Sequence, residues 1–186
     1  VYVVNDGFIY GYVTIDAEKY ASVITGENSL IRSERRNVAA VGIEVQEGNA
    51  YAYNLVSTNE DDEEIGASIV THGDGSVGIH VRAWEGTATA VNSGSITTHG
   101  KYASGIVAVG ETVNVSNAGT IVTSGDFAHG VEATSNSIAT TNIYNDGTIE
   151  VTGEGAHGIL ADGPTVNITN TVNGSISSTG GDAIHV

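Results

Sequence analysis

The chain contains no cysteine and no methionine, and only one proline among its 186 residues. Without cysteine there is no disulfide framework and no thiolate metal site. Lysine and arginine are also scarce: 6 basic residues face 22 acidic ones, for a net charge of −16. Nucleic acids and anionic membranes repel an acidic surface, so neither is expected as a partner. No stretch reaches the roughly 18 apolar residues of a membrane-spanning helix.

What the sequence does contain is a repeat. The segment Asn145-Asp146-Gly147-Thr148-Ile149 recurs in strong and weak copies, and its isoleucine marks a first apolar column. The members of this column are Ile9, Ile31, Ile69, Ile96, Ile121, Ile149 and Ile176. A second column follows, ten residues later wherever the repeat is regular. Its predicted members are Ile24, Ile43, Ile79, Ile106, Val131, Ile159 and Ile184.

Three further columns obey the same period. A third, looser apolar column consists of Ala90, Val115, Ile143 and Ile168. Glycine recurs just before the second column, at Gly42, Gly78, Gly105, Gly130 and Gly158. An asparagine column consists of Asn5, Asn92, Asn117 and Asn145. We interpret this last column as structural, because an asparagine amide can hydrogen-bond to the same residue one repeat away.

Each repeat of about 25 residues holds three short alternations of apolar and polar residues, the pattern of β-strands. No repeat shows a helical period. Three strands per repeat predict an all-β fold, a parallel β-helix of about seven rungs in which stacked repeats bury what one repeat cannot. We expect one β-helix segment over residues 1–186, irregular over 1–68 with an acidic loop at 59–64, and regular over 69–186. Since the chain begins without methionine and within a repeat, it is expected to be a fragment of a longer rod.

The later repeats carry a recognisable motif. Asn-x-Gly-Thr-Ile is followed by Ala128-His129-Gly130-Val131 in one repeat and by Ala156-His157-Gly158-Ile159 in the next. This pattern resembles the passenger domains of classical autotransporters, the monomeric type V secreted proteins of Gram-negative bacteria. The resemblance implies a right-handed β-helix at the cell surface or secreted. It also implies that the only membrane attachment is a C-terminal barrel outside this chain.

The function that this resemblance implies is a non-enzymatic adhesin or other host-interaction virulence factor. Its partner would be a host surface protein, matrix or a glycan, or another copy on a second cell. Two alternatives stay open: a structural stalk that presents a distal functional domain, and a polysaccharide-acting β-helix enzyme. Acidic residues are plentiful, but no pair stands out as a catalytic acid and base. No cofactor is expected.

The candidate contact residues lie in the irregular repeats. Exposed tyrosines favour contacts with proteins or glycans. An acidic run cannot enter a core and should project as a binding loop. The candidates are Tyr10, Tyr12, Tyr51, Tyr53, Glu60, Asp61, Asp62, Glu63 and Glu64.

Two histidine pairs also follow the repeat, His72 with His99 and His129 with His157. Stacked rungs would place the members of each pair about 5 Å apart. Two imidazoles at that distance could share a transition metal. We expect instead a solvated ladder without metal, because neither pair has a carboxylate at fixed spacing.

Overall fold

Short strands stack turn upon turn in a computed structural model that describes residues 1–26, 29–58, 64–136 and 138–186. Each turn contributes three strands, and equivalent strands of successive turns pair in parallel. The described residues form about six turns. The predicted all-β parallel β-helix is therefore confirmed, and the turns meet through their backbones along one axis.

The first sheet consists of one strand from every turn. Its strands are β2 (Phe8–Tyr10), β5 (Leu30–Ser33), β10 (Ser68–Thr71), β12 (Ser95–Thr98), β14 (Thr120–Thr123), β17 (Thr148–Val151) and β20 (Ser175–Ser178). The first apolar column runs through this sheet, since Ile9, Ile31, Ile69, Ile96 and Ile121 are register partners in sequence. The same register continues to Ile149 and Ile176.

The second and third sheets share two long strands, β11 (Ile79–Asn92) and β13 (Ile106–Asn117). The first half of each long strand lies in the second sheet and the second half in the third. The second sheet also contains β3 (Val13–Ala17), β6 (Val41–Glu47), β15 (Val131–Ser135), β18 (Ile159–Asp162) and β21 (Ile184–His185). The third also contains β1 (Tyr2–Asn5), β4 (Tyr20–Thr25), β7 (Asn49–Asn54), β16 (Thr140–Asn145) and β19 (Thr165–Asn170).

The interior is a stack of aliphatic side chains contributed by all three sheets. Six residues predicted to be buried are each 0% exposed: Ile96, Ile106, Ile121, Val131, Ile149 and Ile159. The third apolar column is also confirmed, because Ala90, Val115, Ile143 and Ile168 are consecutive register partners. Burial of each such side chain contributes about 1.5–3 kcal/mol, so the stack supplies most of the stabilisation.

The predicted members of the second apolar column are wrong in the first two repeats. Ile79 pairs with Val41, while Ile43 pairs with Val81 one position further along the same inward face. Ile24 does not belong to the second sheet, because it lies in β4 and pairs with Tyr53 of the third sheet. Residues 19–24 and 101–106 are almost identical in sequence (KYASVI and KYASGI), but this similarity is local and does not reflect equivalent places in the turn.

This difference in register also changes the position assigned to one glycine of the glycine column. Gly42 pairs with His80 on the outer surface, so it is not equivalent to Gly78. At Gly78 a Cβ atom would lie 2.5 Å from Cγ2 of Ile96 and 2.6 Å from the carbonyl oxygen of Gly105. Real Cβ atoms do not approach that closely, so only glycine lets this corner pack against the next turn.

The asparagine column forms an internal ladder of amides. Nδ2 of Asn92 donates to Oδ1 of Asn117 at 2.7 Å, and Asn117 donates to Asn145 at 2.8 Å. The ladder is longer than predicted, because Asn54 donates to Asn92 and Asn145 donates to Asn170, both at 2.7 Å. The structural interpretation is confirmed for Asn92, Asn117 and Asn145. Asn5 is not part of the ladder, because its register partner in the next turn is Thr25 and its amide donates to the carbonyl oxygen of Gly7. The sequence did not single out Asn54 and Asn170, because no Asn-x-Gly motif follows them.

Candidate functional site

The outer surface of the third sheet carries a tyrosine cluster on its early turns. Strand β7 alternates so that Ala50 and Ala52 are buried while Tyr51 and Tyr53 point outward, which resolves a register that the sequence left open. The rings of Tyr51 and Tyr53 are stacked, with centroids 6.3 Å apart and planes 2° from parallel. Tyr20, from the preceding turn, places its ring 5.4 Å from that of Tyr51. Three aromatic rings therefore form one continuous surface.

Aliphatic side chains extend this surface on both sides. Tyr53 has Ile24 as its register partner on one side and Val91 on the other. Burial raises the pKa of the Tyr53 hydroxyl, and the nearby hydroxyls of Tyr20 and Tyr51 raise it further. The cluster is thus packed closely even though it faces solvent. We call it the tyrosine face, made of Tyr2, Val4, Tyr20, Ile24, Tyr51, Tyr53 and Val91.

The same sheet is polar in its later turns. Asn114, Asn142 and Asn167 lie in the column that holds Tyr51, and they form an outer ladder with amide contacts of 3.0 Å. Tyr144 lies in the column of Tyr53, with Ser116 before it and Thr169 after it. Apart from Tyr144, which is 46% exposed, the outward aromatic and aliphatic side chains of this sheet are therefore on the early turns.

Tyr10 and Tyr12 both face solvent, with 69% and 42% of their surfaces exposed. The structure does not place them on one strand, because β2 ends at Tyr10 and Gly11 turns the chain with φ near 144°. The guanidinium of Arg35 lies 5.5 Å from the Tyr12 ring centroid. These two tyrosines are thus on a different side of the rod from Tyr51 and Tyr53.

The acidic run interrupts the solenoid after β7. An antiparallel hairpin of β8 (Val56–Thr58) and β9 (Glu64–Gly66) flanks it, a feature that the sequence did not predict. Glu64 begins β9, whereas the candidates Glu60, Asp61, Asp62 and Glu63 lie outside the described residues. The hairpin follows Tyr53 within a few residues of the chain.

A second aromatic pair lies at the corner between the first and second sheets. The rings of Tyr102 and Phe127 are stacked with centroids 5.4 Å apart, and both are exposed. Both residues have left-handed backbones, with φ of 56° and 54°, which is unusual for bulky side chains. Gly75 and Gly155 occupy the same position in other turns. The repeat could have indicated this pair, since both follow the corner glycine by two residues.

The histidine pairs stack as the repeat predicted. Ring centroids of His72 and His99 are 4.8 Å apart, and those of His129 and His157 are 5.2 Å apart. His185 extends the second pair, 4.5 Å beyond His157. Burial lowers the pKa of His129, and the neighbouring imidazoles of His157 and His185 lower it further.

One group among the described residues has a composition suited to metal. Potential ligand atoms of His157, Asp182 and His185 lie within 4.8 Å of one another. However, Nδ1 of His157 accepts the backbone N–H of Asp182 at 3.0 Å. In a neutral ring the proton is then on Nε2, so neither nitrogen has a free lone pair. The contacts fit a hydrogen-bonded ladder better than a metal centre, and the expectation that no metal binds stays a prediction.

Among the described residues, no helix is both long enough and apolar enough to cross a membrane. No protein-family model matches the chain, and no curated protein or solved structure matches it significantly.

Proposed function

We propose that this chain is a non-enzymatic segment of an autotransporter passenger, displayed on the cell surface or secreted. In this proposal the tyrosine face binds a protein on a host cell or in the extracellular matrix. The observation that carries the proposal is the tyrosine face itself, where aromatic and aliphatic side chains are exposed on a scaffold that does not require them.

The later turns supply the comparison. At the positions of Tyr51 and Tyr53 they carry Asn114 and Ser116, so polar residues are compatible with the fold there. Contiguous exposed apolar surface on a soluble protein usually marks an interaction site. Tyrosine is enriched in protein interfaces because it contributes a large rigid area and a polar tip at little conformational cost.

The charge of the chain narrows the class of partner. With a net charge of −16 the rod repels acidic surfaces at long range. A neutral or basic protein surface can approach, and the negative charge of the chain would attract a basic one. We therefore expect binding that weakens as salt concentration rises.

A binding assay with matched variants tests this function. Changing Tyr51 and Tyr53 together to serine should weaken binding to host cells or purified matrix proteins at least about tenfold, as loss of an interfacial hot spot does. Tyr144→Ser is the control, because Tyr144 is exposed in the same column as Tyr53 but outside the tyrosine face. Equal binding by the double variant and the parent would contradict the proposal.

Surface display has its own test. When the natural gene is expressed in a Gram-negative host, protease added to intact cells should remove an epitope tag placed in this segment. Protection of the tag in intact cells, with cleavage after lysis, would contradict surface exposure. Recovery of the segment in the culture medium would indicate release.

A structural stalk is the second candidate, and the regular later turns favour it. From Ile69 to Ile176 the first sheet keeps an unbroken register, as a simple extension would. A stalk predicts that no variant on any face of this segment changes cell binding. Shortening it by whole turns would then change only the reach of a distal domain.

A further inference from the structure

The outer surface of the second sheet contains a hollow where one side chain is absent. Gly42 occupies a column in which neighbouring turns carry Thr14 and His80, and later turns carry Val107 and Leu160. The missing side chain leaves a hollow of about 270 Å³. That volume is close to the lower end for small-molecule sites, about 300 Å³.

Polar groups surround this hollow. Asp16 and Glu44 are register partners on its wall, and Asn37 contributes from the preceding corner. His80 also lines the hollow, and its enclosed Nε2 has no hydrogen-bond partner among the described residues. The same is true of Nε of Arg82, which is outside this lining but next to Glu44 in register. Folded proteins pair nearly all such atoms, so a ligand or water is the expected partner. Burial lowers the pKa of His80, and the adjacent guanidinium of Arg82 lowers it further, which keeps the ring neutral.

Trp84 is the one tryptophan of the chain, and it is hydrogen-bonded to Glu44, which lines the hollow. Its Nε1 donates to Oε1 of Glu44 at 2.7 Å. The guanidinium of Arg82 lies 4.9 Å from the ring centroid, a cation–π contact that holds the ring on the other side. Even so, 53% of the residue is exposed. An indole held in place from both sides but open to solvent is a preformed stacking surface.

A second hollow lies further along the rod axis on the same sheet. It has a volume of about 280 Å³ and is lined by Trp84, Val109, Gly110, Thr134 and Ser135. Its walls are mostly apolar, and they include Arg82 as well. Trp84 therefore stands between a polar hollow and an apolar one.

We propose that these two hollows and Trp84 form a binding site for a neutral oligosaccharide that lies along the rod axis. The C–H face of a sugar ring packs on the indole, and its hydroxyls donate to the carboxylates of Asp16 and Glu44, which can only accept. An anionic sugar is disfavoured because both carboxylates repel it and Arg82 is already held against Trp84. The site is on a different sheet from the tyrosine face and does not depend on the function proposed above.

The single tryptophan makes the site directly observable. Tryptophan fluorescence of the intact chain should change and saturate on titration with at least one neutral hexasaccharide of glucose, galactose or mannose. Hexagalacturonate, the charged counterpart, should produce no change at the same concentration. Absence of both a fluorescence change and heat by calorimetry for all the neutral sugars would overturn the proposal.

Substitutions at Gly42 supply the matched variants. Gly42→Leu should reduce affinity at least tenfold by filling the hollow, and the fold should tolerate it because Leu160 occupies the same column. Gly42→Ala is the control, since its Cβ would have no neighbour closer than 3.6 Å and leaves most of the hollow open. Unchanged affinity of Gly42→Leu would overturn the site. Loss of sugar binding in the Tyr51 and Tyr53 double variant, with Gly42→Leu unaffected, would place the sugar on the tyrosine face instead.

Discussion

Nδ2 of Asn92 and Oδ1 of Asn117 are 2.7 Å apart, and both side chains are almost completely buried. Each amide in this ladder donates to the next turn and accepts from the previous one. An interior hydrogen bond is strengthened by low local polarity, and loss of one member removes the shortest hydrogen bond from each of its two neighbours. The ladder is therefore expected to be sensitive to any single substitution.

Asn117→Ala should destabilise the protein by about 2–4 kcal/mol. The change leaves Oδ1 of Asn145 without its donor, and it leaves Nδ2 of Asn92 with only a long hydrogen bond of 3.4 Å to the carbonyl oxygen of Thr120. A buried group that loses its partner costs about 1–3 kcal/mol. Urea unfolding followed by circular dichroism measures the effect. Asn114→Ala, on the outer ladder where water can replace the amide, should cost under about 1 kcal/mol. Equal midpoints for the two variants would show that burial does not matter here.

Gly78→Ala should lower the free energy of unfolding by about 1–3 kcal/mol, the usual cost of overpacking. The added methyl would collide with Ile96 and with the backbone of Gly105 in the next turn. Gly42→Ala should be neutral or slightly stabilising, because its Cβ meets only ordinary contacts. Thermal unfolding of the two variants side by side tests this, and a larger loss at Gly42 would contradict the reassigned register.

Stability should decrease as pH falls from about 7.5 to about 5.5, partly through His129. Its folded pKa is below the unfolded value of about 6.5, so the unfolded state binds the proton more readily. The contribution of neutral His129 is complete above that unfolded pKa and is lost below it. His129→Gln should flatten the dependence of melting temperature on pH in this window.

Glu132, in the same turn, contributes a pH dependence of stability that is opposite in sign to that of His129. Burial raises its pKa, so its contribution is complete below the unfolded value and is lost as pH rises through the folded pKa. Comparison of parent and His129→Gln at each pH cancels this effect. A pH dependence that is identical in both proteins would show that His129 does not titrate on unfolding.

Zinc or nickel should not bind stoichiometrically to the histidine ladders. Nδ1 of His129 accepts the N–H of His157 at 3.0 Å, and Nδ1 of His157 accepts the N–H of Asp182 at the same distance. Metal binding would require breaking these bonds. Metal analysis of the purified protein provides the measurement. One equivalent of zinc that disappears in His157→Ala or His99→Ala would refute the prediction.

Neutralising the acidic run should weaken binding of a basic partner without changing stability. The variant replaces Glu60, Asp61, Asp62 and Glu63 by their amides, which keeps the loop length constant. Removal of four like charges lowers long-range attraction, so the association rate should fall and depend less on salt. Surface plasmon resonance at two salt concentrations measures this. An unchanged association rate would exclude the run from partner recognition.

The regular part of the fold was predictable because a nearly constant repeat length there determines which residues of successive turns pair. Where isoleucines recur at nearly constant intervals, as at Ile96, Ile121 and Ile149, they must stack. In the first two repeats the spacing varies and no longer fixes the register, so the second-column positions predicted for Ile24 and Ile43 are wrong.

The site residues were less predictable, because side-chain contacts across turns depend on that register. The outward direction of Tyr51 and Tyr53 depends on β7 pairing with β4 and β11. The sequence did not predict a role for Trp84, because its hydrogen bond to Glu44 joins residues that are 40 positions apart in the chain. The left-handed conformation of Tyr102 could not be predicted from the sequence either, because most bulky residues avoid it.

The amide ladder inside the rod has a direction. From Asn54 to Asn145 every amide donates its N–H to the next turn, toward the C-terminal end, so the amide dipoles are aligned in the same direction. The hydroxyl of Thr25 closes the N-terminal end by donating to Asn54, and the carbonyl of Gly174 closes the other by accepting from Asn170. Any repeat added to this ladder must continue the same direction of hydrogen bonding. If the amides of an added module donated in the opposite direction, two N–H groups would face each other at the junction. The ladder therefore accepts added turns only with the same amide direction.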